Sequence, residues 1–157
     1  MPDSLHRLVY VSRDRLEGGT GAVARSLHDI VDVARRRNAA VGLTGALLHS
    51  AGRFAQVLEG PRDAVLDAFE RIRRDRRHDD VRRLRLARID ARDFPGWAMV
   101  RAESDTALPE PFAVDGALGP DVRDPERVTA FIRGRVEEAD RRLSRAFGVR
   151  VGHHELR

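Results

Sequence analysis

The sequence predicts an α+β fold in which strands and helices follow the order β-α-β-β-α-β-β, with a helical extension behind them. Three observations predict it. Short β-prone runs such as Leu8-Val9-Tyr10-Val11-Ser12 alternate with stretches whose apolar residues recur at helical spacing. Two apolar strands, Val41–His49 and Phe54–Glu59, are separated only by a turn at Ser50-Ala51-Gly52, which makes them a hairpin. Glycines and prolines fall between these units, at Gly18-Gly19-Thr20-Gly21 and Gly60-Pro61. This is a ferredoxin-like sandwich with one added strand.

Leu8–Ser12 is the first strand. Val23, Leu27, Ile30, Val31 and Ala34 then lie on one face of a helix that runs to about Arg37 and closes at Asn38. After the hairpin, Pro61 opens a second helix at the position where its missing N–H costs nothing, and Val65, Leu66, Phe69 and Ile72 form the apolar face. Arg82–Asp90 reads as a strand, and Phe94–Arg101 as a short last one. The division expected is one domain over residues 1–102 and a linker with a helical extension over 103–157. Asp124-Pro125 opens that helix, whose stripe of Val128, Phe131, Ile132, Val136, Ala139 and Leu143 must be covered by the free sheet face or by another subunit; Gly148 stops it.

Composition removes several function classes. The 157 residues include no cysteine, which excludes disulfides, thiolate catalysis and cysteine-ligated zinc. No signal peptide and no apolar run of about 20 residues is present. A cytoplasmic protein with no membrane partner is expected. All 29 basic residues are arginine, so the pI of about 10.9 overstates a net charge of only +4. Basic and acidic residues alternate, as on solvated helix faces, so no nucleic-acid partner is expected. His153-His154 sit alone in the tail, and no metal is expected.

Candidate site residues emerge from strand geometry. Side chains two apart share a face, which groups Tyr10 with Leu8 and Ser12, and Gln56 with Phe54 and Leu58. A buried glutamine brings two donors and an acceptor that must be satisfied. With Asn38 at the end of the first helix, three polar groups converge on the crevice between the helices and the sheet, where a ligand could satisfy them. Singly, each has an ordinary explanation: Asn38 as a helix cap, Tyr10 as a core tyrosine, Trp97 and Met99 as packing residues.

Five blocks occur together and in order: Leu8-Val9-Tyr10-Val11-Ser12, Arg37-Asn38-Ala39-Ala40-Val41-Gly42-Leu43-Thr44-Gly45, Phe54-Ala55-Gln56-Val57-Leu58-Glu59-Gly60, Arg74-Asp75-Arg76-Arg77-His78 and Phe94-Pro95-Gly96-Trp97-Ala98-Met99. In order, spacing and residue choice they resemble the BLUF domain, a flavin-based blue-light receptor module, over residues 5–102. The resemblance implies non-covalent FAD between the two helices. It implies photochemical roles for Tyr10 and Gln56, and cofactor contacts from Tyr10, Asn38, Gln56, Arg77 and His78. It also implies a signalling pair, Trp97 and Met99, on one face of the last strand. A sensor rather than an enzyme follows, homo-oligomeric and acting on a separate downstream signalling protein. His49 and Ala55 depart from the pattern, standing where an aromatic and a larger apolar residue are common.

Other readings of this layout fit less well. In an acylphosphatase a phosphate loop follows strand one, but acidic Asp14 in Arg13-Asp14-Arg15 would oppose an anion. An RNA-binding module would stack bases on sheet aromatics, and Val9 and Val11 stand where those would be. A third reading keeps the fold without the pigment, as a colourless protein-interaction module.

Overall fold

The computed structural model describes residues 4–50, 52–95, 100–103 and 124–147. Along the chain run β1 (Leu5–Asp14), α1 (Thr20–Val41), β2 (Thr44–Ser50), β3 (Arg53–Pro61), α2 (Arg62–Arg74), β4 (His78–Arg88), β5 (Val100–Glu103) and α3 (Pro125–Phe147). The strands form one sheet in the order β4-β1-β3-β2-β5, antiparallel except that β5 runs parallel to β2. The predicted order of elements is therefore the observed one.

Both sheet faces are covered. The even residues of β1 and β3 (Leu8, Tyr10, Phe54, Leu58) pack beneath α1 and α2 against Leu27, Val31, Val65, Ala68 and Phe69. The odd residues (Val9, Val11, Ala55, Val57) pack beneath α3 against Val128, Ile132 and Val136. Val128, Phe131, Ile132 and Val136 of the α3 stripe are thus covered by their own sheet, the first of the two options left by the sequence; the side chains of Ala139 and Leu143 lie outside those described. Val9 and Val11 are 1% and 5% exposed, so the face on which an RNA-binding module would stack bases is covered.

Several boundaries differ from expectation. Residues Ala39, Ala40 and Val41 extend α1 past Arg37, and Gly42 rather than Asn38 caps it. Gly42 takes the left-handed conformation (φ 74°) that side chains avoid, and its N–H donates to the Asn38 carbonyl. Pro61 ends β3 and stands at the N-cap of α2, one residue before the helix. The edge strand β4 begins earlier than Arg82, at His78, because the ladder to β1 continues to the Asp14–His78 pair. The described part of the last strand begins at Val100; Phe94 and Pro95 precede it in a turn. Trp97 and Met99 lie outside the described residues, as do the linker 104–123 and the tail beyond Phe147.

Close packing decides one residue choice in the hairpin. A Cβ at Gly45 would stand 2.0 Å from the Val57 carbonyl oxygen across the β2–β3 ladder, so that position admits only glycine. No described helix is long and apolar enough to cross a membrane.

Candidate functional site: a polar floor beneath two helices

Tyr10 and Gln56 are register partners in the β1–β3 ladder, so their side chains leave the same sheet face side by side. Leu47 of β2 is the next partner of Gln56 in the same row. The Tyr10 hydroxyl donates to Gln56 Oε1. Both groups are buried, at 0% and 5% exposure. Burial, and secondarily the Asp75 carboxylate, push the phenol's pKa up. The hydroxyl therefore keeps its proton and can donate it to the amide oxygen that faces it.

These two side chains floor a crevice whose walls are Ile30, Val33 and Ala34 of α1 and Ala68 and Ile72 of α2. Asn38, Arg77 and His78 complete the lining, so the structure brings Tyr10, Asn38, Gln56, Arg77 and His78 around one space. Its enclosed part measures about 120 Å³, and about 640 Å³ with its open mouth. The enclosed part is smaller than ordinary ligand sites of about 300–1,000 Å³, so a ligand the size of a flavin would also fill the open mouth between the helices.

His78 opens β4 and is only 8% exposed. Its Nδ1 lies 2.9 Å from Ser12 Oγ, and its ring packs on Phe54 at 4.5 Å between centroids. Burial, with help from the Arg77 cation and against the pull of Asp75 and Asp14, pushes its pKa down to about 4. The imidazole is neutral at ordinary pH. Arg77 is half-exposed at the rim, where its guanidinium grips Asp75 at 2.7 Å and Asp29 at 3.2 Å. Burial acts to raise the Asp75 carboxyl, but hydrogen bonds from the Arg77 side chain and N–H outweigh it and hold it below the usual range.

The donor set suits a flavin. Apolar helix faces accept a flat ring, the amides of Asn38 and Gln56 can both donate and accept at its polar edge, and the arginines Arg37, Arg71 and Arg77 at the mouth suit an anionic tail. Among the described residues no cluster of metal-ligating side chains occurs.

Reading the sequence alone passes over Arg37, Arg71 and Asp75 at the mouth, and one buried network altogether. Glu59, fully buried in β3, accepts from Arg7 at 2.7 Å and from the backbone N–H groups of Asp93 and Phe94 at 3.0 and 2.7 Å. Arg92 donates to the Glu59 and Gly42 carbonyls and to the Thr44 hydroxyl. Together they clamp the turn that leads toward β5. A charged residue closing an apolar strand was the available signal.

A larger cavity of about 410 Å³ lies on the opposite face, between α3 and the β1–β4 pair. Its charged groups largely answer one another, through Arg7–Asp93, Arg133–Asp93, Arg133–Glu137 and Arg85–Glu126. Convergent polar groups over an apolar slot belong to the crevice instead.

Comparison with known proteins identifies the family and the fold. The family model for BLUF, sensors of blue light using FAD, matches residues 5–100. The chain is 39% identical over 104 residues to the photoactivated adenylate cyclase subunit beta of Euglena gracilis; that stretch is 65% of this chain and 12% of that subunit. It spans a similarly small share of the other curated relatives of this kind. The dark-state structure of the BLUF protein BlrB superposes with a TM-score of 0.68 at 29% identity, covering 88% of this chain and 99% of BlrB. Ground-state BlsA superposes at 0.71 with 26% identity, covering 83% of this chain and 87% of BlsA. The chain belongs to the BLUF family of flavin-based blue-light sensors.

Proposed function

We propose that this chain binds FAD non-covalently in the crevice between α1 and α2 and works as a blue-light photoreceptor, not as an enzyme. The observation that carries the reading is the buried Tyr10–Gln56 hydrogen bond at the floor of that crevice. The bound flavin supplies a blue-absorbing ring whose excited state takes an electron.

Tyr10 is the proposed electron donor. Its hydroxyl holds its proton firmly in the dark, but becomes strongly acidic once an electron has left. The proton then moves along the existing hydrogen bond to Gln56 Oε1. An amide that gains a proton at oxygen and gives one up from nitrogen, or that turns over, exchanges donor for acceptor with little change of shape. Return of the electron and a proton to Tyr10 would then leave the flavin oxidised. Gln56 thereby presents a different hydrogen-bonding group to the crevice, which shifts the pigment's absorption to the red. Asn38 is assigned to the ring's polar edge, and Arg77 and His78 to the ligand's more polar end.

Trp97 and Met99 are the proposed signalling pair, leading into β5. The support lies on either side of them: Glu59 and Arg92 clamp the preceding turn, and β5 pairs with β2, the strand that carries Leu47 beside Gln56. A change at Gln56 would bias how this last strand sits. The recipient of the signal is proposed to be a separate protein, with this chain acting as a homo-oligomer.

An absorption spectrum of the purified protein before and after blue light tests the reading. The expected result is an oxidised-flavin spectrum that shifts red by a small amount and recovers in darkness. A colourless protein, or a coloured one indifferent to light, overturns it.

A further inference from the structure

The neighbour of the Tyr10–Gln56 pair that none of these roles uses is Ser12. It lies two residues along β1 from Tyr10, on the same face, and is 2% exposed. Its hydroxyl has one hydrogen-bond partner among the described residues, the Nδ1 of His78. Nε2 of that ring has none among the described residues, although His78 lines the crevice.

These facts decide where the imidazole proton sits. A hydroxyl has one proton to place. Were Nδ1 protonated, it would donate to Ser12 Oγ, and the buried hydroxyl proton would then face no acceptor. Were Ser12 the donor, its proton is satisfied, Nδ1 is the bare acceptor, and the ring proton resides on Nε2. Each arrangement leaves one donor without a partner among the described residues. The first strands the Ser12 hydroxyl, 2% exposed and away from the crevice, which is the costlier outcome. The second leaves Nε2–H on a ring that lines the crevice, where solvent or a ligand can accept it.

We propose that Ser12 is a positioning residue that holds His78 as the neutral Nε2–H tautomer, so that the imidazole offers the crevice one uncharged donor. A neutral acceptor on the ligand, a carbonyl or hydroxyl oxygen, fits that donor. The charged groups around the ring balance in the same sense: Asp75 and Asp14 favour the imidazolium, while burial and Arg77 oppose it and prevail. The ligand's identity as a flavin rests on the function proposed above; the tautomer does not.

The test is long-range proton–nitrogen NMR on the purified 157-residue chain carrying ¹⁵N-histidine, with His78 assigned by His78→Gln. The expected spectrum has a protonated Nε2 and a bare Nδ1 that persist between pH 5.5 and 8. Ser12→Ala and Ser12→Val should lose this single-tautomer signature, and Ser12→Thr, which restores a hydroxyl, should keep it. Circular dichroism identifies any variant that fails to fold, and the Thr/Val pair of equal shape then carries the comparison. A wild-type ring protonated at Nδ1, or an unchanged pattern in Ser12→Val, overturns the proposal. A colourless wild-type protein would sink the photoreceptor reading while leaving the tautomer measurable.

Discussion

Tyr10 and Gln56 face each other across β1 and β3, with the phenol donating to the amide oxygen on the side of the sheet covered by α1 and α2. Forty-six residues separate them in the chain. Antiparallel pairing closes that gap, and period-two alternation puts both on the helix side. The pair is as much part of the core as of the site, since the Tyr10 ring also packs on Phe69 at 5.6 Å. That double role sets what substitutions there should do.

Tyr10→Phe keeps the ring and removes the donor. Gln56 Oε1 then loses the buried partner that Tyr10 supplies, so unfolding free energy should fall by about 1–3 kcal/mol. Pigment should still bind, and the light-induced red shift should vanish. Difference spectra before and after blue light check this; a normal shift would remove Tyr10 from the photochemistry.

Gln56→Leu fills nearly the same volume without the amide. The Tyr10 hydroxyl becomes the stranded group, at a similar cost of about 1–3 kcal/mol. The variant should be yellow and lack the ordinary photocycle. Retained red shift in this protein would refute the relay.

The order of elements was legible because each carries its own periodicity, as with Val23, Leu27, Ile30 and Val31 along α1. What periodicity misses is decided by partners far away. β1 begins three residues before Leu8 because two neighbouring strands offer its backbone a ladder, and no local signal marks Leu5 to Arg7 as strand. Phe94 looks like the start of a strand, yet Glu59 holds its N–H in a turn and its ring is buried under α3. In the crevice, Tyr10, Asn38 and Gln56 were legible as polar residues at apolar positions. Asp75 at its mouth and Ser12, buried behind His78, were not, because serines and aspartates are ordinary wherever strands and turns meet.

Glu59 is a sharper test of the fold than of the light response. Its carboxylate is fully buried and neutralised by Arg7, so Glu59→Ala leaves a cation and two backbone donors with fewer acceptors. Arg7 is part-exposed and keeps Asp93, so the main cost is that of the stranded backbone donors, about 1–3 kcal/mol. Urea unfolding at pH 7 should show a loss of that size, while the same change at Glu70, exposed on α2, should cost less than about 1 kcal/mol. A loss below about 1 kcal/mol for Glu59→Ala would mean that the turn is held by other contacts.

Acid should reveal His78. Its folded pKa of about 4 lies below the value of 6.5 for a free imidazole, so between these limits the unfolded chain binds a proton that the folded chain refuses. Stability must therefore fall as pH drops through 6.5 toward 4, and it levels off below. Between pH 7 and 5 this one group should account for a loss of about 2 kcal/mol. Asp75, whose carboxyl is held low, acts in the same direction but in a separate window, below about pH 4, where its unfolded form begins to take up protons. Unfolding curves of wild type and His78→Gln at pH 7 and pH 5 isolate the effect: the wild type should lose about 2 kcal/mol more than the variant. Equal losses would mean that the imidazole is hydrated in the folded chain and free to charge.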